Sequence, residues 1–456
     1  MTTFHIQQFG CRATQADGAA IERQLREQGC IPAESATADV VVLNTCTVTA
    51  AADAQARDAI RKIHAAKPAT RVIVTGCYAQ RAPEEIAALP GVTFVVGNSH
   101  KPQIPSLLHS ISIAAAPPQR EDLIPYHSAS ILTGDIFATT DVLVAPVLGG
   151  EGNHTRPTLK IQDGCNSRCS FCVIPFVRGK SRSLPVASVL DEIRRLSESG
   201  FREIVLSGIN LGTYGRDLAP RVEFPDLLRQ ILGETPVERL RISSIEPLDV
   251  TQDLIGLFAA NHRLAPHFHM PLQSASDRIL AAMHRWYRAE HYSRRVELIR
   301  EVLPHAAIGA DVLTGFPGES EDDHSATLRF IEERPFTYLH VFSYSSRPGT
   351  KAANLANHLP GRVVKRRARE LRALAGRKSA AFRRSQIGHA LRVLTLRRGP
   401  KDHPAHTPAL SENYLSVMIP EALPHNQWLI VHATHADGEQ LIGLPQQHAE
   451  LAVLGA

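Results

Sequence analysis

Two stretches of this chain alternate short β-rich runs with helical patterns, and this alternation constrains the fold more than any other feature. The first stretch covers residues 1 to about 110, and the second runs from about 158 to 353. Continuous apolar strands separated by helices of about 10–15 residues are typical of parallel sheets that are covered on both faces. The sequence therefore predicts an α/β protein with two parallel-sheet regions. The first region has predicted strands at 4–7, 40–43, 71–74 and 93–96, and predicted helices at 15–28, at 50–66 and after Pro83.

The second stretch contains six predicted strands, which are too few for a closed eight-fold barrel and favour a partial (β/α)6 barrel. A long basic helix follows, and then short strands between Pro and Gly turns, as in a small β-barrel. The partial barrel has predicted strands at 158–161, 203–206, 239–242, 267–270, 308–312 and 339–342. The basic helix is predicted at 362–385, and the strands of the small barrel at 391–394, 414–419 and 428–431.

These patterns divide the 456 residues into four parts. Residues between the two stretches lack sustained periodicity, so we interpret them as a linker that contains some strand. The predicted parts are a Rossmann-like N-terminal domain at 1–113, the linker at 114–154, the partial barrel at 155–382 and the small β-barrel at 383–456.

The sequence lacks the features of a membrane or secreted protein. No run of about 18 apolar residues is present, so we expect no membrane span. The first six residues form neither a basic start nor an apolar block, so we expect no secretory signal. The protein should therefore be cytoplasmic, where clustered cysteines more often bind metal than form disulfides.

Three cysteines are clustered directly after the first strand of the second stretch. Cys165, Cys169 and Cys172 have the spacing CxxxCxxC. Structural zinc takes four ligands, and no local fourth ligand is evident. A 4Fe–4S cluster normally takes four thiolates, so three would leave one iron open to a ligand from outside the protein. A structural zinc loop is the alternative, and it predicts a colourless protein instead of a brown one.

Three more cysteines each follow a strand of the first stretch. Cys11, Cys46 and Cys77 come after the first, second and third strands. The carboxyl ends of parallel strands share one edge of a sheet, so these residues should converge there and could hold a second cluster with one open iron. The alternative is that they are three buried small apolar residues. Cys30 follows a predicted helix, and we expect it to be a packing residue.

The cysteine loop resembles that of radical S-adenosylmethionine (SAM) enzymes, with the aromatic Phe171 just before the last cysteine. Together, the two cysteine groups resemble those of the methylthiotransferase family, and the resemblance covers nearly the whole chain. Ala13-Thr14 and Ala275 depart from the usual family pattern. The matching segments are 10–15, 271–277, 315–319, 346–350 and 411–415, the last of which looks like part of an RNA-binding TRAM domain.

The resemblance implies a reaction in which C–H is replaced by C–S–CH₃. In the family, one SAM methylates a sulfur held on an auxiliary 4Fe–4S cluster, and a second SAM is cleaved to a radical that activates the substrate carbon. It therefore implies two 4Fe–4S clusters, SAM, and an electron donor such as flavodoxin or ferredoxin; the sulfur source stays open. Replacing any one of the six cysteines should abolish product, whereas Cys30→Ala should be tolerated.

Polar and Gly-rich motifs at the strand ends of the second stretch are candidates for cofactor binding, because loops at that end hold barrel active sites. Each of them could instead be an ordinary strand-end turn or helix cap. With Phe171, the predicted cofactor contacts are Gly208, Asn210, Glu246, Gln273, Ser274 and Asp311.

Several segments look most like the branch of the family that modifies N6-threonylcarbamoyladenosine at position 37, in the anticodon loop of tRNA. That substrate carries a carboxylate, which suits bidentate arginine. Arg178 and Arg182 are the candidates for this contact, although they could contact tRNA phosphate or the protein itself. In the small β-barrel, Tyr414 is the candidate for RNA contact. The segments are 161–165, 178–183, 211–218 and 339–345.

The distribution of charge favours a nucleic acid as the partner. Residues 361–398 contain thirteen Lys or Arg and one acid, a local net charge of +12, whereas the whole chain carries +5. The rest of the chain therefore sums to −7. A mildly acidic body with one strongly basic segment points to a polyanion. A solvated basic helix without a partner is the alternative.

Other substrates and other classes of function stay open at this point. The other branches of the family modify isopentenyladenosine 37 of tRNA or an aspartate of a ribosomal protein. An iron–sulfur RNA-binding protein without catalytic activity and a zinc-binding RNA adaptor are alternatives from other classes.

Overall fold

The computed structural model describes residues 2–113, 129–140, 142–143, 155–399 and 403–446. The strands are β1 Thr3–Gln8, β2 Ile31–Pro32, β3 Val40–Thr45, β4 Arg71–Gly76, β5 Val92–Val96, β6 Ser130–Leu132, β7 Thr158–Asp163, β8 Arg182–Ser183, β9 Glu203–Gly208, β10 Arg239–Ile242, β11 His267–His269, β12 Ala307–Thr314, β13 Tyr338–Ser343, β14 Ala390–Thr395, β15 Thr407–Ser411, β16 Ser416–Ile419, β17 Trp428–Asp437 and β18 Gln440–Pro445. The helices are α1 Arg12–Glu27, α2 Ala50–Ala66, α3 Cys77–Arg81, α4 Pro83–Ala87, α5 Ile104–Ile113, α6 Ile174–Arg178, α7 Val186–Glu198, α8 Phe224–Glu234, α9 Gln252–Ala260, α10 Asp277–Ala282, α11 Ala289–Val302, α12 Glu321–Glu333 and α13 Gly361–Ser385.

The chain folds into two compact units. The first unit contains residues 1–147, 159–184 and 345–354, and the second contains 148–158, 185–344 and 355–456. The cysteine loop and the segment with the sequence Ser346-Arg347-Pro348-Gly349-Thr350 thus belong to the same unit as the N-terminal sheet. The four-part division expected from the sequence stays a prediction.

The first unit is built on a six-stranded parallel sheet in the order β2-β1-β3-β4-β5-β6. Alternating side chains of the buried strand β3 enter two different apolar cores. Val41 and Leu43 pack with residues of α2, whereas Val40 and Val42 pack with residues of α1 and α5. The prediction of a parallel sheet covered on both faces is therefore confirmed. The last strand, β6, comes from the predicted linker; the parts of that linker at 114–128, 141 and 144–154 lie outside the described residues.

The second unit contains two groups of parallel strands. Strand β9 pairs with β10, and β12 lies between β11 and β13. Single bridges link Leu240 to Leu264 and Ser244 to His269. Five of the six predicted strands of the second stretch thus follow one another within this unit, as expected for a partial barrel.

The C-terminal part of the second unit is a closed five-stranded barrel in the order β14-β15-β16-β18-β17. The small barrel was predicted, but two of its strands were not. Strand β15 contains Pro408, and β18 contains Gly443 and ends on Pro445, residues that disfavour a strand prediction. The strand predicted from residue 414 begins only at Ser416, because Tyr414 has a φ of 68° and lies in a turn.

No helix among the described residues is long and apolar enough to cross a membrane.

Candidate functional site

The structure brings Cys11, Cys46 and Cys77 to the carboxyl edge of the N-terminal sheet. Cys11 precedes α1, Cys46 follows β3, and Cys77 begins α3 directly after β4. Gly10 lets the first two approach each other, because a Cβ atom at this position would lie 2.4 Å from the Cβ of Cys46 and 3.0 Å from its Sγ. The convergence expected from three strand ends is therefore present in the fold.

The thiol of Cys46 is poorly suited to remain an isolated ionised group. Burial raises its pKa to about 12, and the thiols of Cys77 and Cys11 add to the rise, while the N–H of Val48 and the charge of Arg178 oppose it. Thiolates in such an environment form when a metal ion or cluster supplies positive charge. None of the seven cysteines is in a disulfide, and three soft sulfur donors at one edge suit iron.

The backbone of the cysteine loop, which contains Cys165, Cys169 and Cys172, is held by the preceding strand β7. The amide of Gln162 donates to the carbonyls of Asp163 and Gly164, at 3.1 and 2.8 Å, and to the Oγ of Ser181 at 2.9 Å. The N–H of Cys165 donates to the carbonyl of Gly179 at 3.1 Å. Cys165, Cys169 and Cys172 are all half-buried. A fixed loop with accessible thiols fits the three-thiolate cluster that the spacing predicts.

Gly164 cannot be replaced without moving this loop. Its φ is +70°, and a Cβ atom would lie only 1.9 Å from the carbonyl oxygen of Lys180. Because both the conformation and the space exclude a side chain, the start of the cysteine loop depends on this glycine.

The two cysteine groups belong to one packed region. Cys77 packs against Val173, which directly follows Cys172, and against Val177 of α6. Asn98 donates from its Nδ2 atom to the carbonyl of Val177 at 2.6 Å and to the Sγ of Cys77 at 3.7 Å. Segments that are about a hundred residues apart in the sequence therefore support one another.

Beside these cysteines lies a buried charge cluster of five residues: Asp17, Lys101, Lys160, Asp163 and Arg178. Asp17 accepts from Lys101 at 2.7 Å, from Arg178 at 2.9 Å and from Lys160. Asp163 accepts from Lys160 and from Arg178, both at 2.9 Å. These five side chains are 9% exposed or less, so each charge depends on its partners in place of water.

The charges in this cluster stabilise one another strongly. Burial alone would raise the pKa of Asp17, but Lys101, Lys160 and Arg178 hold it well below its ordinary value. Burial would lower the pKa of Arg178, but its electrostatic interactions, with Asp163 first and then with Cys77, Asp17 and Cys11, raise it well above its ordinary value. Arg178 is thus a buried cation that pairs with two carboxylates and interacts electrostatically with the N-terminal cysteines.

A second buried pairing ties the residues after Cys46 to the segment 345–354. Asp53 accepts from Arg81 at 3.0 Å and also from Arg347. Arg347 donates to Thr47, which directly follows Cys46, at 3.0 Å. The carbonyl of Ser170 in the cysteine loop accepts from the N–H of Ala352 at 2.8 Å. This segment therefore contacts structure next to both cysteine groups.

Two of the predicted substrate contacts have protein partners. The guanidinium of Arg178 binds Asp17 and Asp163, and Arg182 donates to the carbonyls of Arg178 and Lys180 at 2.9 and 3.1 Å. Both arginines line a cavity of about 300 Å³ in the first unit. These contacts correspond to the alternative in which the arginines serve the protein itself.

Tyr414, the predicted RNA contact, is packed within the second unit. Its ring stacks on His267 with centroids 4.2 Å apart, and the guanidinium of Arg241 lies 5.3 Å from its centroid. His267 is the first residue of β11, so Tyr414 lies against the amino-terminal end of a barrel strand. Its contacts in the structure join the small barrel to the partial barrel.

Most of the remaining predicted residues lie at strand ends, but Asp311 lies inside β12, three residues before its end. Gly208 ends β9, Glu246 pairs with Arg285, and Asp311 pairs with His269 and His340. Burial raises the pKa of Glu246, although Arg285 opposes that rise. Each of the others lies in or beside a strand-end loop: Phe171, Asn210, Gln273 and Ser274. Their roles as cofactor contacts stay predictions.

The sequence did not predict the buried charge pairings of Asp17, Lys101, Lys160, Asp53 and Arg347, although Arg347 lies in the matching segment 346–350. A signal was present for two of them. Asp17 shares the buried face of α1 with Ile21, and Lys160 interrupts an apolar strand. Because a charged residue at a core position is rarely buried without a partner, both positions indicate buried ion pairs. The partners come from distant segments and could not be assigned.

Comparisons with known proteins agree with the cysteine loop and the fold. Residues 3–97 match the family model described as "Uncharacterized protein family UPF0004", and residues 159–331 match that of the radical SAM superfamily. Threonylcarbamoyladenosine tRNA methylthiotransferase MtaB of Aquifex aeolicus (strain VF5) is 37% identical over 411 residues, which are 90% of this chain and 94% of that protein. A tRNA-2-methylthio-N(6)-dimethylallyladenosine synthase of Paenarthrobacter aurescens (strain TC1) is 34% identical over 409 residues, 89% of this chain and 76% of that protein.

Among solved structures, the fold is similar to that of the radical S-adenosylmethionine methyltransferase TsrM from Kitasatospora setae, which was solved with cobalamin and a [4Fe-4S] cluster bound. The TM-score is 0.57, the sequences are 16% identical, and the match covers 77% of each chain. This likeness shows a radical SAM fold and nothing finer.

Proposed function

The chain belongs to the radical SAM methylthiotransferase family, and from that membership we propose that it adds a methylthio group to carbon 2 of N6-threonylcarbamoyladenosine at position 37 of tRNA. The proposed reaction uses two SAM molecules and two 4Fe–4S clusters. One cluster is held by Cys165, Cys169 and Cys172. The other is held by Cys11, Cys46 and Cys77.

The observation that carries the proposal is the presence of two cysteine triads in one packed unit. Cys77 of one triad packs against the residues that follow Cys172 of the other. A single radical-generating cluster needs only three cysteines, so a second converging triad supports a second cluster with a separate task. Each triad would leave one iron of its cluster without a cysteine ligand.

The chain's own residues position and insulate this chemistry. When bound, the clusters and SAM supply the electron, the radical and the methylated sulfur. Gly164 and Gln162 fix the backbone of the cysteine loop, and Asn98 orients Cys77. Arg178 places positive charge near the N-terminal triad, which stabilises an anionic cluster.

Support for tRNA as the substrate comes from the relatives and from the basic helix α13. Arg362, Lys365, Arg369 and Arg372 are exposed and follow the spacing 3, 4, 3, so they form one stripe along the helix. They make no ion pair with any described residue. A row of free cations on a rigid helix suits a phosphate backbone.

The relatives are named for two different nucleoside substrates. The Aquifex protein is named for threonylcarbamoyladenosine, and the Paenarthrobacter protein for the dimethylallyl substrate. We favour the threonylcarbamoyl substrate because four segments, including Leu339-His340-Val341-Phe342, resemble that branch. Isopentenyladenosine 37 is the second candidate.

Mass spectrometry of tRNA nucleosides from a strain that lacks this gene tests the proposal. We expect the methylthio form of threonylcarbamoyladenosine to disappear and its unmodified precursor to accumulate. Loss of the isopentenyl product instead would keep the reaction and change the substrate. If neither nucleoside changed, the proposed function would be wrong.

A further inference from the structure

The last strand of the partial barrel, β13, has one face that is open. Tyr338, His340 and Phe342 alternate along the strand and therefore point to the same side. The side chain of His340 is 55% exposed, and Phe342 is 47% exposed. Their rings meet edge to face with centroids 6.4 Å apart. An imidazole and a phenyl ring are thus neighbours on one face of the strand.

The neighbouring strand β12 continues this open face. In the parallel register, Asp311 lies opposite His340, and Leu313 lies opposite Phe342. Asp311 and Leu313 are half-buried, whereas Val312 and Thr314, which alternate with them, are buried. We call these four residues, Asp311, Leu313, His340 and Phe342, the β12–β13 patch. It combines an apolar half with a polar half.

Hydrogen bonds fix which atom of His340 is offered to a ligand. Oδ1 of Asp311 lies 2.9 Å from Nε2 of His269 and 3.2 Å from Nδ1 of His340. Although burial would raise it, the pKa of Asp311 is well below its ordinary value because both imidazoles hydrogen-bond to the carboxylate. An ionised carboxylate only accepts, so both imidazoles donate to it. Nε2 of His340 is then the ring nitrogen that faces outward.

A second layer of contacts holds this arrangement in place. The hydroxyl of Tyr338 lies 2.9 Å from Nδ1 of His269 and 2.7 Å from Nε2 of His267. Gly309 of β12 leaves the space for the tyrosine, because a Cβ atom there would lie 2.0 Å from its ring. The His340 side chain is therefore oriented through Asp311, His269 and Tyr338 in turn. Such support is typical of a binding residue held in one geometry.

These groups could also suggest a metal site, because His269, Asp311 and His340 offer ligand atoms that lie within 4.8 Å of one another. The hydrogen bonds argue against it. Nε2 of His269 and Nδ1 of His340 each carry the proton that they donate to the carboxylate, so neither nitrogen has a lone pair free for a metal ion. The arrangement orients an imidazole toward an external group instead.

We propose that the β12–β13 patch receives the target nucleoside: Phe342 stacks on the adenine, and Nε2 of His340 pairs with the carboxylate of the threonylcarbamoyl group. This inference rests on the proposed function. Exposed aromatic rings bind nucleobases by stacking, and an imidazolium donates from both ring nitrogens, so one histidine side chain can bind Asp311 and a substrate carboxylate together. His340 would then be the residue that distinguishes this substrate from an uncharged one.

The experiment compares two anticodon stem–loops on the reconstituted holoenzyme. One carries threonylcarbamoyladenosine at position 37, and the other carries its methyl ester, which removes the negative charge and adds one methyl group. We expect wild-type enzyme to bind the acid about 10- to 100-fold more tightly than the ester, the range for a charge-assisted hydrogen bond. In His340→Phe, which keeps an aromatic ring, the two dissociation constants should become equal while the ester binds as in wild type.

Two further variants separate recognition from folding. Phe342→Ala should weaken binding of both stem–loops by a similar factor, because stacking does not depend on the carboxylate. His262→Phe, an exposed histidine before the start of β11, should keep the wild-type preference for the acid. Each variant should still cleave SAM to 5′-deoxyadenosine without RNA, which reports an intact fold and loop cluster.

The possible failures can be told apart. If wild-type enzyme methylthiolates the isopentenyl stem–loop and not the threonylcarbamoyl one, the proposed function is wrong, and the carboxylate contact falls with it. If wild-type enzyme prefers the acid and His340→Phe keeps that preference, the function stands and the role of His340 is overturned. A wild-type enzyme that modifies the acid but binds the ester equally well also overturns that role.

Discussion

Arg178 illustrates how burial decides what a charged residue does. Its sequence context, just after the cysteine loop, suggested a contact with a substrate carboxylate. In the fold it is 2% exposed and bound to Asp17 and Asp163. A charge that has left water must be compensated locally, and two protein carboxylates do so here. Residue type and spacing predicted a carboxylate partner but could not identify it, because Asp17 lies far away in the sequence.

Removing one charge from this cluster should be costly. In Asp17→Asn, Lys101 would lose its carboxylate partner, and Lys160 and Arg178 would keep only Asp163, so we expect the free energy of unfolding to fall by about 3–5 kcal/mol. Chemical denaturation followed by circular dichroism measures the difference. The matched control is Asp58→Asn, which removes an exposed carboxylate that pairs with Arg61. A loss no larger than that of the control would contradict the account of the cluster.

Glu203 gives a prediction about pH. It is fully buried, and although burial would raise its pKa, Arg241 and Arg156 lower it to about 2 from an ordinary value of 4.5. A lowered pKa stabilises the folded state above the unfolded pKa, and this contribution is lost as the pH falls through the folded pKa. At pH 6 this contribution is fully present, so wild type should have a larger free energy of unfolding than Glu203→Gln. The difference in free energy should shrink between about pH 4.5 and 2. A constant difference across that range, measured by denaturation, would refute this assignment.

At the scale of elements, local turns carry long-range consequences. Gly164 in the cysteine loop lies against the backbone of Lys180, and Gly10 lies against Cys46. Hydrophobic periodicity predicts the strands, and motif spacing identifies the cysteines. Neither pattern contains information about the backbone contacts that position the cysteines. The same limit explains why β15 and β18 were missed, since pairing with other strands outweighs their Pro and Gly residues.

Gly164→Ala should disturb the cysteine loop selectively. The added methyl group would overlap the carbonyl of Lys180, so the loop must move. We expect the reconstituted variant to hold about half of the wild-type iron and to form no 5′-deoxyadenosine. Gly200→Ala is the matched control, because Gly200 also has a positive φ but has open space around it. Normal SAM cleavage by Gly164→Ala would show that the loop tolerates the change.

The basic stripe on α13 should contribute electrostatically to tRNA binding. Replacing Arg362, Lys365, Arg369 and Arg372 by Gln should weaken binding and reduce the slope of log Kd against log salt by about 0.7–0.9 for each lost phosphate contact. The control replaces Arg377 and Lys378, which bind Glu332 at 2.8 Å, by Gln. An unchanged salt slope in the stripe variant would exclude this surface from the interface.

At the scale of the whole molecule, the sequence predicted the elements better than the contacts. Parallel strands, the partial barrel, the basic helix and the small barrel were all expected, because hydrophobic periodicity reports them directly. The contacts made by residues 159–184 and 345–354 with the N-terminal sheet were not expected. Compact units depend on which distant residues touch, and a periodicity pattern carries no information about that.

The central claim is that two cysteine triads hold two separate clusters, and the most direct test is iron content with Mössbauer spectroscopy after anaerobic reconstitution. Wild type and Cys30→Ala should each bind about eight irons, whereas Cys46→Ala and Cys169→Ala should each bind about four and make no methylthio product. The two single variants should lose different spectral components. A Cys46→Ala protein that keeps all the wild-type iron and full methylthiotransferase activity would contradict the account.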